Sequence, residues 1–84
     1  MNVKFTLIDA PQDIYEGELS EFIEGVGIEA VRKRELRIEE NEETKKSFSK
    51  IRLNEFATVI IEGNKIDFYK VGYENGCYLF ATHL

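Results

Sequence analysis

Cysteine, histidine, proline and tryptophan are scarce in this 84-residue chain, which has one Cys, one His, one Pro and no Trp. The single cysteine, Cys77, excludes an internal disulfide, so the fold must be stabilised by packing. Cys77 and the only histidine, His83, are too few to build a zinc site. They are also about 20 Å apart along an extended strand, which excludes a Cys–His dyad within it. We therefore predict no metal, no cofactor and no catalytic residues, that is, a protein that is not an enzyme.

Long apolar runs and a basic-then-apolar N-terminal segment are also missing, so the sequence predicts a cytoplasmic protein that does not contact a membrane. The length allows one domain, residues 1–84, and 43% hydrophobic with 32% charged residues is typical of a globular chain. A bias toward Glu, Lys, Asn, Ile, Phe and Tyr in so short a chain suggests a bacterial or phage origin.

Alternation of apolar and polar residues predicts mostly antiparallel β-structure. Residues 2–8 form a first strand and residues 34–40 contain another, followed by a charged connection at 39–47. Residues 56–83 read as a three-stranded meander, with two-residue turns at Gly63-Asn64 and Asn75-Gly76. We predict a small α+β domain in which the meander and two further strands form a barrel or sandwich, with one amphipathic helix after the first strand.

Residues 10–27 are ambiguous. Helical spacing places Tyr15, Leu19, Phe22 and Ile23 on one face, which favours a helix, although Gly17 would lie inside it. The alternative is a hairpin in which Ala-Pro-Gln-Asp is the turn and Ile-Tyr-Glu-Gly-Glu-Leu is the second strand.

The hairpin alternative matches a resemblance. Residues 3–19, Val-Lys-Phe-Thr-Leu-Ile-Asp-Ala-Pro-Gln-Asp-Ile-Tyr-Glu-Gly-Glu-Leu, resemble the opening of the N-terminal β-sandwich of the ATP synthase epsilon subunit family. That family runs strand, Pro-containing turn, then a Tyr-x-Gly-Glu strand. Its following Gly-Ile-Leu-Pro-Gly-His stretch has no counterpart here, and the resemblance implies no function for this chain.

The meander has two apolar faces when its register is set from the predicted turns. One is aliphatic and suits the core. The other is aromatic, and either a closed barrel covers it or it binds a partner, including a second copy of the chain. The candidate partner-binding residues are Phe56, Tyr69, Val71, Tyr73, Tyr78 and Phe80.

Charge is unevenly distributed in a chain of net charge −5. A basic cluster at Arg32, Lys33, Arg34 and Arg37 is a candidate phosphate-binding surface, although nearby glutamates favour a salt-bridged surface instead. The outer face of the predicted helix carries Asp13, Glu16, Glu21 and Glu24, which offer a candidate mimic of a nucleic-acid backbone.

These features favour a small non-enzymatic binding or regulatory module that acts by protein–protein contact, including self-association as a homodimer. One alternative is an acidic inhibitor that mimics nucleic acid and acts on a DNA- or RNA-binding protein. The other is weak nucleic-acid binding through the basic cluster, which the acidic net charge disfavours.

Overall fold

The computed structural model describes residues 1–25 and 31–83, with Glu24 described by its backbone alone. These residues form six strands and one helix: β1 (Asn2–Leu7), β2 (Ala10–Glu24), β3 (Val31–Glu39), α1 (Glu42–Phe48), β4 (Phe56–Ile61), β5 (Asn64–Glu74) and β6 (Cys77–Ala81). All neighbouring strands are antiparallel, and they close into a barrel in the order β1-β2-β3-β6-β5-β4. A small, mostly antiparallel domain of the barrel type is therefore confirmed. The α+β description fits only loosely, because the helix has seven residues.

The helix favoured for residues 10–27 is wrong over residues 10–24, which form strand β2, and the hairpin alternative is correct there. Residues 26 and 27 lie outside the described part of the chain. The described residues do contain one helix after the first strand, but it lies at Glu42–Phe48, in the predicted charged connection. The buried side chains Tyr15 and Leu19 explain the error, because residues four apart share a side of a strand as well as a helix face.

Helix α1 begins with a reciprocal capping box. The Asn41 side chain accepts hydrogen bonds from the backbone N–H groups of Glu43 and Thr44, and the Thr44 hydroxyl accepts one from the Asn41 N–H. Acidic residues follow in the first turn and basic residues in the last, which matches the helix dipole. These local signals allow so short a helix to form between β3 and β4.

The last residue of α1, Phe48, is completely buried in the barrel core. Its ring centroid lies 4.9 Å from that of Tyr15, 5.7 Å from that of Phe80 and 6.1 Å from that of Phe5. All three contacts are edge-to-face, an arrangement that aromatic pairs prefer. Phe48 thus joins side chains of β1, β2 and β6, and the helix serves to place this ring.

A buried lysine holds the end of α1 in place. Lys70 on β5 is 9% exposed, and its Nζ donates to the carbonyl oxygens of Phe48, at 3.0 Å, and Ile51, at 2.7 Å. The same ammonium lies 5.1 Å from the centroid of the Tyr78 ring. A buried charge is costly unless it is hydrogen-bonded, and carbonyls at a helix end lack partners within the helix. The Lys70 ammonium thus gains two hydrogen-bond acceptors, and the two carbonyl oxygens gain a donor.

Two details of register differ from the sequence prediction. The β4–β5 turn residues are Glu62 and Gly63, both in the left-handed region with φ of 50° and 81°, instead of Gly63-Asn64. The Asn75-Gly76 turn is confirmed. Beyond it, however, an extra residue at Val71 interrupts the β5–β6 ladder as a β-bulge.

The bulge decides which side of β6 faces the core. Instead of the predicted pair Val71 and Phe80, the strands pair Lys70 with Phe80. Directly opposed residues share a side of the sheet, so Phe80 lies on the inner side with Lys70 and Phe68. The aromatic side chains of β6 therefore belong to the core.

We predict that Phe48→Ala lowers the free energy of unfolding by about 3–5 kcal/mol, because it leaves a cavity at the centre of the barrel. Phe56→Ala is the matched control, since this phenylalanine is 59% exposed, and it should cost about 1 kcal/mol or less. Urea titration of both variants measures the difference. An equal decrease in the free energy of unfolding in both variants would contradict the central role of Phe48.

We predict that Gly17→Ala destabilises the barrel by about 1–3 kcal/mol. A Cβ at this position would lie 2.8 Å from the backbone carbonyl oxygen of Arg37, so strands β2 and β3 would have to separate. Gly72→Ala is the control, because a Cβ there meets no atom within 4 Å. Thermal and urea unfolding should place Gly72→Ala at or above the wild type, and a similar loss in both variants would refute the packing argument.

Candidate functional site

An exposed apolar surface lies on the outside of β4 and β5. Leu53, Phe56 and Val71 are 61%, 59% and 42% exposed, and Tyr69 is half-buried. Phe56 and Tyr69 are cross-strand partners whose rings pack edge-to-face, with centroids 5.9 Å apart. A backbone hydrogen bond from Asn54 to β5 brings the loop of Leu53 beside this strand. We call Leu53, Phe56, Tyr69 and Val71 the β4–β5 strip.

The predicted partner-binding set is divided by the fold. Phe56, Tyr69 and Val71 belong to the strip, but Tyr78 and Phe80 are only 3% and 2% exposed. Their prediction as surface residues is wrong, because the Val71 bulge turns this side of β6 toward the core. The alternative that a closed barrel covers part of the aromatic set is correct for these two.

Tyr73, the sixth member of the set, lies apart from the strip and forms a small polar cluster with Tyr78 and Glu40. The Tyr78 hydroxyl donates to Glu40 Oε2 at 2.7 Å, and the Tyr73 hydroxyl donates to Glu40 Oε1 at 3.3 Å. Burial, and then the hydrogen bond to Glu40, raise the pKa of Tyr78 to about 12. Desolvation and the same carboxylate also raise the pKa of Tyr73, whose side chain is 54% exposed.

The basic cluster on β3 faces the acidic residues of β2. Arg34 Nε lies 3.0 Å from Glu21 Oε1, and Arg32 Nη1 lies 3.2 Å from Glu21 Oε2. One carboxylate thus bridges two guanidinium groups across the β2–β3 pair. The favoured salt-bridged surface is correct for these residues, and the partner comes from β2.

The remaining members of the basic cluster point to the other side of β3. Lys33 Nζ lies 5.5 Å from the centroid of the Phe22 ring, on the neighbouring strand. Arg37 is directly opposite Glu18 in the β2–β3 ladder. The four basic residues therefore do not form one positive surface.

The acidic helix face is wrong because residues 10–24 form a strand. Neighbouring positions on a strand lie on opposite sides, so Asp13 and Glu21 are on one side of β2 and Glu16 is on the other. Glu16 lies 3.8 Å from Lys4 on β1, as an exposed ion pair. The side chain of Glu24 lies outside the described part of the structure.

Sequence reasoning missed a groove between the β1–β2 turn, α1 and the start of β4. It encloses about 380 Å³, and its wall includes the apolar residues Ile8, Ile51 and Phe56. Lys46 and Lys50 line it from the side of the helix. We call this the α1–β4 groove. The Asn41 and Thr44 spacing was a usable signal for the helix, but no local pattern shows which strands the helix lies against.

The two residues considered for nucleophilic chemistry lie at opposite ends of β6. Cys77 begins the strand and is half-buried, and His83 follows its end and is exposed. Within residues 1–25 and 31–83, no group of three or more His, Cys, Asp or Glu side chains is arranged to hold a metal ion. The same residues contain no helix long and apolar enough to cross a membrane.

We predict that stability falls as the pH rises above about 10 because of Tyr78. The neutral phenol is favoured in the folded state, where its pKa is about 12, whereas the unfolded chain ionises near 10. The contribution of Tyr78 to the free energy of unfolding is therefore complete below pH 10 and is lost between pH 10 and 12. Urea midpoints measured from pH 8 to 11.5 should fall, with a smaller decrease in Tyr78→Phe. An unchanged decrease in that variant would assign the effect to other groups.

Comparison of the chain with protein-family models, with curated proteins and with solved structures gives no match in any of the three. The likeness of residues 3–19 to the opening of the epsilon subunit family therefore stays a resemblance of local pattern.

Proposed function

We propose that this chain is a small non-enzymatic binding or regulatory module that acts by protein–protein contact through the β4–β5 strip. The observation that supports the proposal is the exposure of Leu53 and Phe56, which are 61% and 59% exposed. Exposed apolar surface of this kind marks contact sites, and aromatic residues are enriched at the centre of interfaces. The partner is a protein, either another chain or a second copy of this one.

The barrel itself offers no place for these side chains. Phe48 and the rings around it already occupy the interior. Phe56 lies on the outer side of β4, so a second molecule is needed to bury it further. Complete burial of one phenylalanine side chain contributes about 1.5–3 kcal/mol, and two or three such anchors account for much of a micromolar contact.

The polar clusters support binding over catalysis. The Glu40 carboxylate accepts hydrogen bonds from two tyrosines, and Glu21 binds two arginines. Both carboxylates are therefore already engaged, Glu40 by tyrosine hydroxyls and Glu21 by guanidinium groups. The bridge at Glu21 also weakens the nucleic-acid alternative, because Arg32 and Arg34 already have a carboxylate partner.

The double variant Phe56→Ser with Tyr69→Ala tests the proposal, with Ile14→Ser as the control. Ile14 is also an exposed apolar residue, at 62%, but lies on β2. Light scattering behind gel filtration over a hundredfold range of concentration measures self-association, and quantitative affinity capture from the source cells measures other partners. We expect the wild type and the control to form the same contact and the strip variant to lose it.

Circular dichroism and urea unfolding must first show that the strip variant remains folded. If it keeps the mass and the captured proteins of the wild type, the β4–β5 strip is not the contact surface. If the wild type is monomeric throughout and captures no protein specifically, the proposed function is wrong.

A further inference from the structure

The seam where the barrel closes is its shortest strand pairing. β4 pairs with β5 along its whole length, from Phe56 to Ile61, but β1 pairs with β4 only at Val59–Ile61. One further backbone hydrogen bond, from Ile8 N to the Thr58 carbonyl oxygen at 3.0 Å, extends this seam. The first two residues of β4 lie beyond it and line the α1–β4 groove.

The backbone of Phe56 faces the groove. In an antiparallel sheet, the hydrogen-bonding groups of alternate residues point to the same neighbour. Thr58 directs its carbonyl oxygen toward the β1 side, where Ile8 binds it. Phe56 is two residues earlier on the same strand, so its N–H and C=O groups also point to that side. Among the described residues, no strand pairs with Phe56 on this side, and such a strand end is where an extended peptide adds to a sheet.

The groove carries a local positive charge in an acidic protein. Lys46 and Lys50 line it, against one acidic residue, Asp9, whereas the whole chain has net charge −5. Within residues 1–25 and 31–83, neither lysine lies within 4 Å of a carboxylate. They are also not needed to cap the end of α1, because Lys70 occupies the carbonyl oxygens of Phe48 and Ile51.

The volume and wall of the groove suit one large apolar side chain. Its volume of about 380 Å³ is near the lower end of the range for ligand pockets, about 300–1,000 Å³. Ile8 and Phe56 both line it and are 41% and 59% exposed. An apolar wall, two lysines and a strand edge therefore occur together.

We propose that the α1–β4 groove binds an extended acidic segment of a protein partner, which adds to the start of β4 with one large apolar side chain in the groove and carboxylates beside Lys46 and Lys50. This inference rests on the proposed function and names the chemistry of the partner. Phe56 belongs to both surfaces, so the segment enters at the edge of the β4–β5 strip.

Two eight-residue peptides with blocked termini test this inference. Both have one central Phe in an alternating Ser/Thr background, with four Glu residues in one peptide and four Lys residues in the other. Titration into isotope-labelled protein, followed by amide chemical shifts and fluorescence anisotropy, measures binding. We expect the acidic peptide to bind at least tenfold more tightly, with shifts confined to residues 7–10, 46–51 and 56–58.

Two double variants with the same change in net charge distinguish binding in the groove from attraction by the net charge of the protein. Lys46→Glu with Lys50→Glu should abolish or reverse the preference for the acidic peptide. Lys4→Glu with Lys65→Glu, which changes exposed lysines on β1 and β5, should reduce binding no more than twofold. Equal effects of the two variants would refute recognition by the groove.

Backbone recognition and ligand class need their own controls. An acidic peptide with N-methylated amides at alternate positions should bind at least tenfold more weakly, and undiminished binding would refute strand addition.

Octanoate tests whether the groove binds a simple acyl carboxylate instead of a peptide. If it shifts the groove amides and the acidic peptide does not, the inference is wrong. If neither peptide binds while partner capture or self-association still depends on Phe56, the inference fails and the proposed function stands.

Discussion

The structure depends on the contact that places Phe48 inside the barrel. A seven-residue helix crosses from β3 toward β4 and ends with this ring in the core, among aromatic side chains of three strands. Lys70 holds the backbone there by binding the carbonyl oxygens of Phe48 and Ile51. Removing either side of this contact costs free energy, because a buried ammonium would lose its acceptors or the carbonyl oxygens would lose a donor. Together they fix α1 against the barrel, and the groove beside α1 is a consequence.

One inserted residue divides the aromatic side chains between the core and the surface. The bulge at Val71 shifts the β5–β6 pairing so that Tyr78 and Phe80 point inward. Phe56 and Tyr69 are unaffected by the bulge and remain on the outer side. The β4–β5 strip is what remains of the aromatic face after this division. Its small size fits a contact with a few anchor residues.

Strand pairing brings charges of opposite sign together that are separate in the sequence. The acidic and basic segments, which are separate in the sequence, become neighbouring strands β2 and β3, and Glu21 bridges Arg32 and Arg34. Two surfaces that would each attract a charged partner thereby neutralise one another in part. In the sequence, Lys46 and Lys50 belong to a mixed run of charges and do not stand out. In the folded chain they line an apolar groove.

Features that follow from local chemistry could be predicted from the sequence alone. These are the alternation of β1 and of the last three strands, the tight turn at Asn75-Gly76, and the predominance of antiparallel strands. The sequence also identified Phe56, Tyr69 and Val71 as candidates, because aromatic and β-branched residues on alternate positions stand out. Three features could not be predicted in this way: residues 10–24 form a strand, Tyr78 and Phe80 are buried, and Phe48 fills the barrel. Each of these depends on contacts between residues that are distant in the chain. Tyr15 and Leu19 fit the period of either element, a bulge depends on the register of two strands, and the position of Phe48 depends on Lys70, 22 residues away.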